Sequence, residues 1–87
     1  RLTDERWSHI TEEHGELAGS RMDVMETIFR PDRIVAGNNG ELLAVRQIGH
    51  GKFMVVVYRE AGPDGFVITA FLTSRSRSLD KRKQVWP

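Results

Sequence analysis

Phe53-Met54-Val55-Val56-Val57-Tyr58-Arg59-Glu60 and Phe66-Val67-Ile68-Thr69-Ala70-Phe71-Leu72-Thr73, joined by Ala61-Gly62-Pro63-Asp64-Gly65, decide the fold of this chain. Both runs are rich in β-branched and aromatic residues, and the Gly-Pro cluster between them turns the chain, so they read as sequential antiparallel strands. Working backward, Gly49-His50-Gly51-Lys52 is a turn leading out of a strand over Glu41 to Ile48, with His50 simply a turn residue. Before it, Gly37-Asn38-Asn39-Gly40 contains an Asn-Gly suited to a tight hairpin, and Arg33 to Ala36 is the first strand.

Upstream of Arg33 the period is helical. Thr3 is an N-cap candidate, and Asp4 and Glu5 complement the dipole of a helix running from Asp4 to near His14. Trp7, Ile10, His14 and Leu17 recur on one face of it. Gly15 and Gly19 break this helix, and Ser20 with Asp23 resembles a capping box for a second. Met22, Met25, Ile28 and Phe29 share a face there, and Pro31 ends it. The expected fold is α+β, with two N-terminal helices packed on one face of a four-stranded antiparallel sheet. In its last strand Phe66, Ile68, Ala70 and Leu72 are expected to pack on the helices, with Val67, Thr69, Phe71 and Thr73 on the other face.

With 87 residues the chain is read as one domain, 1–87, carrying a basic C-terminal tail from about residue 74. It opens at Arg1 rather than Met, which reads as an excised domain or the ordered part of a longer protein. At 39% apolar and 29% charged residues it has the composition of a globular protein rather than a disordered one. No apolar run approaches the roughly 18 residues of a membrane span, and no signal peptide is visible. The absence of cysteine excludes disulfides, thiolate metal sites and cysteine nucleophiles, and makes the cytoplasm the default compartment. The net charge of +1 is too small to mark a nucleic-acid binder, but the charge is uneven. Arg75, Arg77, Lys81, Arg82 and Lys83 face only Asp80 near the C-terminus, whereas residues 1–16 carry Asp4, Glu5, Glu12, Glu13 and Glu16 against Arg1 and Arg6. The basic end reads either as a phosphate-binding edge or as a solvated terminus.

His9 and His14 are candidates for metal-independent acid–base chemistry, because imidazole titrates near neutral pH. Five residues apart, they stand about 140° from one another around a helix of 3.6 residues per turn. They therefore miss the i, i+4 spacing of a helical metal pair, and no cofactor is expected. Thr69, Phe71 and Thr73 would present hydroxyls beside an aromatic ring, a surface suited to a base and a phosphate, although threonine is also a favoured strand residue. Arg46 is the preferred anion clamp and Arg59 the second, each with the alternative of a surface ion pair.

Trp7-Ser8-His9-Ile10 followed by His14 and Glu16, Arg30-Pro31-Asp32-Arg33-Ile34, Met54-Val55-Val56-Val57-Tyr58 and Val67-Ile68-Thr69-Ala70-Phe71 together resemble the phage-associated branch of the barnase, EndoU, colicin and RelE-like nucleases. The resemblance implies a RelE- or barnase-like fold and a metal-independent ribonuclease, a toxin or toxin-derived domain, with an antitoxin or immunity protein as partner. By position His9 and His14 match the family's helical histidines and Thr69 its strand hydroxyl. Family members often carry His-Pro-Glu where this chain has His14-Gly15-Glu16. The implied reaction is attack of an RNA 2′-hydroxyl on the adjacent phosphate, leaving a 2′,3′-cyclic phosphate. One histidine acts as base, His9 or Tyr58 protonates the leaving oxygen, Arg46 holds the phosphorane and Thr69 donates to a phosphate oxygen. Arg59, Phe71, Thr73, Arg75, Arg77, Lys81 and Lys83 are the expected RNA contacts. The competing reading is a non-catalytic nucleic-acid-binding or protein-interaction module on the same fold.

Overall fold

The computed structural model describes residues 1–87, the side chain of Asp64 apart. Helix α1 (Asp4–Glu13) begins where the Thr3 hydroxyl accepts a hydrogen bond from the Arg6 N–H at 3.1 Å, so the expected cap is present. His14 is its C-cap, and a single 3₁₀ turn, Gly15–Leu17, leads on to α2 (Arg21–Phe29). Ser20 precedes α2 without a side-chain cap bond, so the expected capping box is not formed.

Strands β1 (Arg33–Ala36), β2 (Leu42–Gly49), β3 (Lys52–Ala61) and β4 (Asp64–Thr73) follow as the expected antiparallel meander. The sheet has five strands rather than four, in the order β4-β3-β2-β1-β5. The segment read as a tail supplies both a third helix, α3 (Ser76–Asp80), and β5 (Gln84–Trp86), which pairs antiparallel with β1. Trp86 is thus a half-exposed edge-strand residue. Arg82 fixes the segment by donating to the Ala36 carbonyl at 3.2 Å and to Asn38 Oδ1 at 3.0 Å, while the Ala36 N–H donates to the Lys83 carbonyl.

Both faces of the sheet are covered. On one, Ala44, Met54, Val56, Val67 and Ala70 pack with Ile10, Leu17 and Val24 from the first two helices and the 3₁₀ turn. On the other, Val35, Leu43, Val45 and Val55 pack with Leu79 of α3, so the helices do not lie on one face alone. An Arg33–Asp80 ion pair at 2.7 Å ties α3 to β1.

Two packing expectations are corrected. Tyr58 stands opposite Val67 and Val57 opposite Thr69, so Ile68 is an extra residue in β4, a bulge that changes the phase of the strand. Val67 rather than Phe66 or Ile68 joins Ala70 and Leu72 on the face beneath α1 and α2, and Phe66 is exposed. In α2 the buried residues are Val24 and Thr27, whereas Met22 and Phe29 are 80% and 72% exposed. Thr27 can be buried because its hydroxyl donates to the Asp23 carbonyl at 2.8 Å.

Candidate functional site

The end of α1 meets the sheet at β4. Burial of Ile10 and Leu17 sets the rotation of α1 and the 3₁₀ turn, which brings His14 over the strand. Its ring lies against Phe71, with centroids 6.3 Å apart and planes at 37°. The His14 side chain is 32% exposed, and Nδ1 is 3.4 Å from Glu16 Oε1. Phe71 pairs with Val55 and packs against the cluster beneath α3. Because alternate strand residues share a face, Thr69 and Thr73 flank Phe71 on that same surface, opposite Val57 and Phe53. Of the expected site residues, His14 meets Phe71 at the β4 edge of the sheet, and Thr69 and Thr73 share the face of the strand that carries Phe71.

The basic segment leaves this group directly. The Thr73 hydroxyl accepts a hydrogen bond from the Arg75 N–H at 3.0 Å, which turns the chain into α3. Arg75, Arg77 and Lys81, with Ser74, Ser76 and Ser78, line an open cleft of about 570 Å³. Lys83 is exposed farther along, on the approach to β5.

The remaining expected residues lie elsewhere. His9 is on the outer surface of α1, in a cleft of about 340 Å³ lined by Thr3, Glu5, Arg6 and Glu13. Glu5 and Glu13 are four residues before and after His9, on the same helical surface, and oppose the approach of a phosphate. Arg46 is on the other side of the sheet, pairing with Met54, and its Nη1 donates to the Arg30 carbonyl at 3.2 Å and to Glu26 Oε1 at 3.5 Å. It satisfies a carbonyl at the C-terminal end of α2, where a cation also complements the dipole. Tyr58 shares that side of the sheet and lines a small pocket with Ile28, Glu60 and Phe66. Burial, assisted by the charge of Glu60, raises its phenol above the ordinary 10.0, which makes it a weaker proton donor.

Arg59 reaches the β1–β2 hairpin, where Nη2 donates to the Asn39 carbonyl at 2.8 Å. The anion there belongs to the chain itself: Glu41 Oε1 accepts the Asn39 N–H at 2.7 Å. That hydrogen bond holds the Glu41 carboxyl below its ordinary 4.5 against a partial opposing effect of burial, with Arg59 and Arg82 acting in the same direction as the bond.

Glu16 and the three serines were not among the expected site residues. The His14-Gly15-Glu16 triplet marks the first in the sequence, and the alternation of Ser with Arg over residues 74–78 marks the others. Among the described residues no group of three His, Asp or Glu side chains is placed to hold a metal ion, and no helix is long and apolar enough to cross a membrane. Comparison of the chain with protein-family models, curated proteins and solved structures finds no match.

Proposed function

We propose that this chain is a metal-independent endoribonuclease whose working surface is formed by the end of α1 and the Thr69-Phe71-Thr73 face of β4. The observation that carries this reading is His14, held against Phe71 and paired with Glu16, with Phe71 flanked along its strand by Thr69 and Thr73. An RNA base stacks near the exposed part of the aromatic face and the adjoining phosphate meets the threonines. His14 takes the proton of the 2′-hydroxyl as the 2′-oxygen attacks phosphorus, the bond from phosphorus to the 5′-oxygen breaks, and a 2′,3′-cyclic phosphate remains. Glu16 steadies the imidazolium, and the departing 5′-oxygen takes its proton from that imidazolium or from water. Thr69 donates to a phosphate oxygen as its charge grows. In this arrangement His9, Tyr58 and Arg46 act outside the reacting centre, and Arg46 serves α2.

Incubation of the purified chain with mixed RNA in excess EDTA, followed by identification of the product ends, tests this. Cyclic phosphate ends are expected from the parent, with a loss of about 10²–10⁴-fold in rate for His14→Ala. Full activity of that variant removes His14 from the mechanism. A toxin acting on RNA in this way would work in the cytoplasm and be restrained by a cognate antitoxin or immunity protein. One observation favours a second reading, a non-catalytic RNA-binding module: His9, Tyr58 and Arg46 do not converge on His14, which leaves a single imidazole at the surface. RNA binding without cleavage would select it.

A further inference from the structure

Among the described residues, the cations of the cleft that follows β4 have no ion-pair partner. Asp80 is the single acid after residue 73. It is turned to Arg33, at 2.7 Å, in a pair whose arginine side chain is only 22% exposed. Arg75, Arg77 and Lys81 form no ion pair among the described residues, and all three are exposed. Ser74, Ser76 and Ser78 line the same cleft of about 570 Å³, and among the described residues the Ser74 and Ser76 hydroxyls are left to donate, since that of Ser78 is given to the Arg75 carbonyl. The backbone that carries them is fixed at both ends of its first turn, by the Arg75 N–H on Thr73 Oγ1 and by Ser78 Oγ donating to the Arg75 carbonyl at 3.0 Å. Guanidinium forks, an ammonium and hydroxyl donors on a held backbone match the oxygens of several phosphates.

Its position along the chain adds direction. From Phe71 to Arg75 is four residues, a reach of at most about 13 Å at 3.3 Å per extended residue. The cleft therefore adjoins the His14–Phe71 group, and its three cations, spread over residues 75–81, are more than one phosphate held at His14 would engage. We infer that this cleft is a backbone-binding subsite for single-stranded RNA, occupied by phosphates displaced along the strand from the one at His14. The substrate is accordingly an oligonucleotide of several residues, held by the cleft and cut beside it. The location of the cut rests on the ribonuclease reading, whereas the subsite itself does not.

The test is fluorescence anisotropy with 2′-O-methyl oligoribonucleotides, which have no free 2′-hydroxyl to attack, against the parent chain and an Arg75→Ala, Arg77→Ala, Lys81→Ala variant. Affinity is expected to rise steeply between a dinucleotide and a hexanucleotide for the parent. In the variant the hexanucleotide is expected to bind at least about tenfold more weakly, and the log–log salt dependence to flatten by about 2, at about 0.7 per phosphate contact on a single strand. An Arg75→Lys, Arg77→Lys variant, which keeps the charge, is expected to keep the salt dependence. Equal hexanucleotide affinity and salt slope in the parent and the alanine variant would overturn the subsite, as would polyglutamate of matched charge binding as tightly as RNA. Cleavage of unmodified RNA, assayed in parallel, separates the two ideas: cleft-dependent binding with no cleavage leaves the subsite standing and removes the ribonuclease.

Discussion

His9 and His14 show how little a residue's type says without its neighbours. Both are imidazoles near one helix, yet His9 is bracketed by Glu5 and Glu13 on the outer surface, and His14 is capped onto an aromatic ring beside two hydroxyls. His9→Ala is expected to retain RNA cleavage within about threefold, since the residue lies outside the reacting group, while His14→Ala loses at least about 10²-fold. Single-turnover rates on one RNA substrate compare them directly, and equal losses would place both histidines in the reaction. The carboxylates four residues before and after His9 were legible in the sequence from helical spacing alone. The contact with Phe71 was not, because it joins residues 57 positions apart and depends on which edge of the sheet α1 meets. The Glu41 carboxylate makes stability depend on pH. Its folded carboxyl titrates below 4.5, so it stabilises the fold above that pH, and the contribution is lost as pH falls through the depressed value. The stability difference between parent and Glu41→Gln, measured by urea denaturation from about pH 7 to about pH 3, is expected to shrink toward the acid end. A difference that does not change with pH would show that the carboxylate charge contributes nothing.

At the scale of elements, the four meander strands and both N-terminal helices follow from turn chemistry and hydrophobic period, and the structure agrees with them. The phase of β4 does not follow. Residues 66–68 and 70–72 are apolar at both parities, so either face could have been the buried one, and no glycine marks the bulge at Ile68. Val67→Asp places a charge in the buried face and is expected to cost on the order of 3 kcal/mol or more. Phe66→Asp, at an exposed position, is expected to cost less than about 1 kcal/mol. Chemical denaturation of the two variants reads the phase, and the reverse order of stability would mean that the strand alternates without a bulge. In α2, Thr27 does not read as a core residue in sequence, because its hydroxyl is polar and is satisfied only by the local carbonyl of Asp23. The C-terminal elements were obscured by charge: one apolar anchor, Leu79, is set among arginines, lysines and serines. Leu79→Ala is expected to destabilise the fold by about 2–5 kcal/mol, whereas truncation of a tail residue would be nearly neutral.

For the molecule as a whole, the sheet separates two kinds of surface. The α1–α2 side buries Tyr58 partly and commits Arg46 to α2. The α3 side places Phe71, Thr69 and Thr73 at one edge, beside the unneutralised cations of residues 75–81. Acidic and basic side chains are thus divided between the two ends of the chain, so a net charge of +1 coexists with a local cationic cleft. The division and its place after β4 were visible in the sequence, but that Asp80 is turned away from the cleft depends on its pairing with Arg33, a contact between residues 47 positions apart. The most direct measurement of the working surface is backbone and side-chain chemical-shift mapping of the labelled chain on addition of a 2′-O-methyl hexanucleotide. Perturbations concentrated at His14, Thr69, Phe71, Thr73 and residues 74–81, with Arg46, Tyr58 and His9 little changed, are the predicted result. Perturbations centred on Arg46 and Tyr58, or on His9, would contradict it and move the RNA site to the other side of the sheet or to the outer surface of α1.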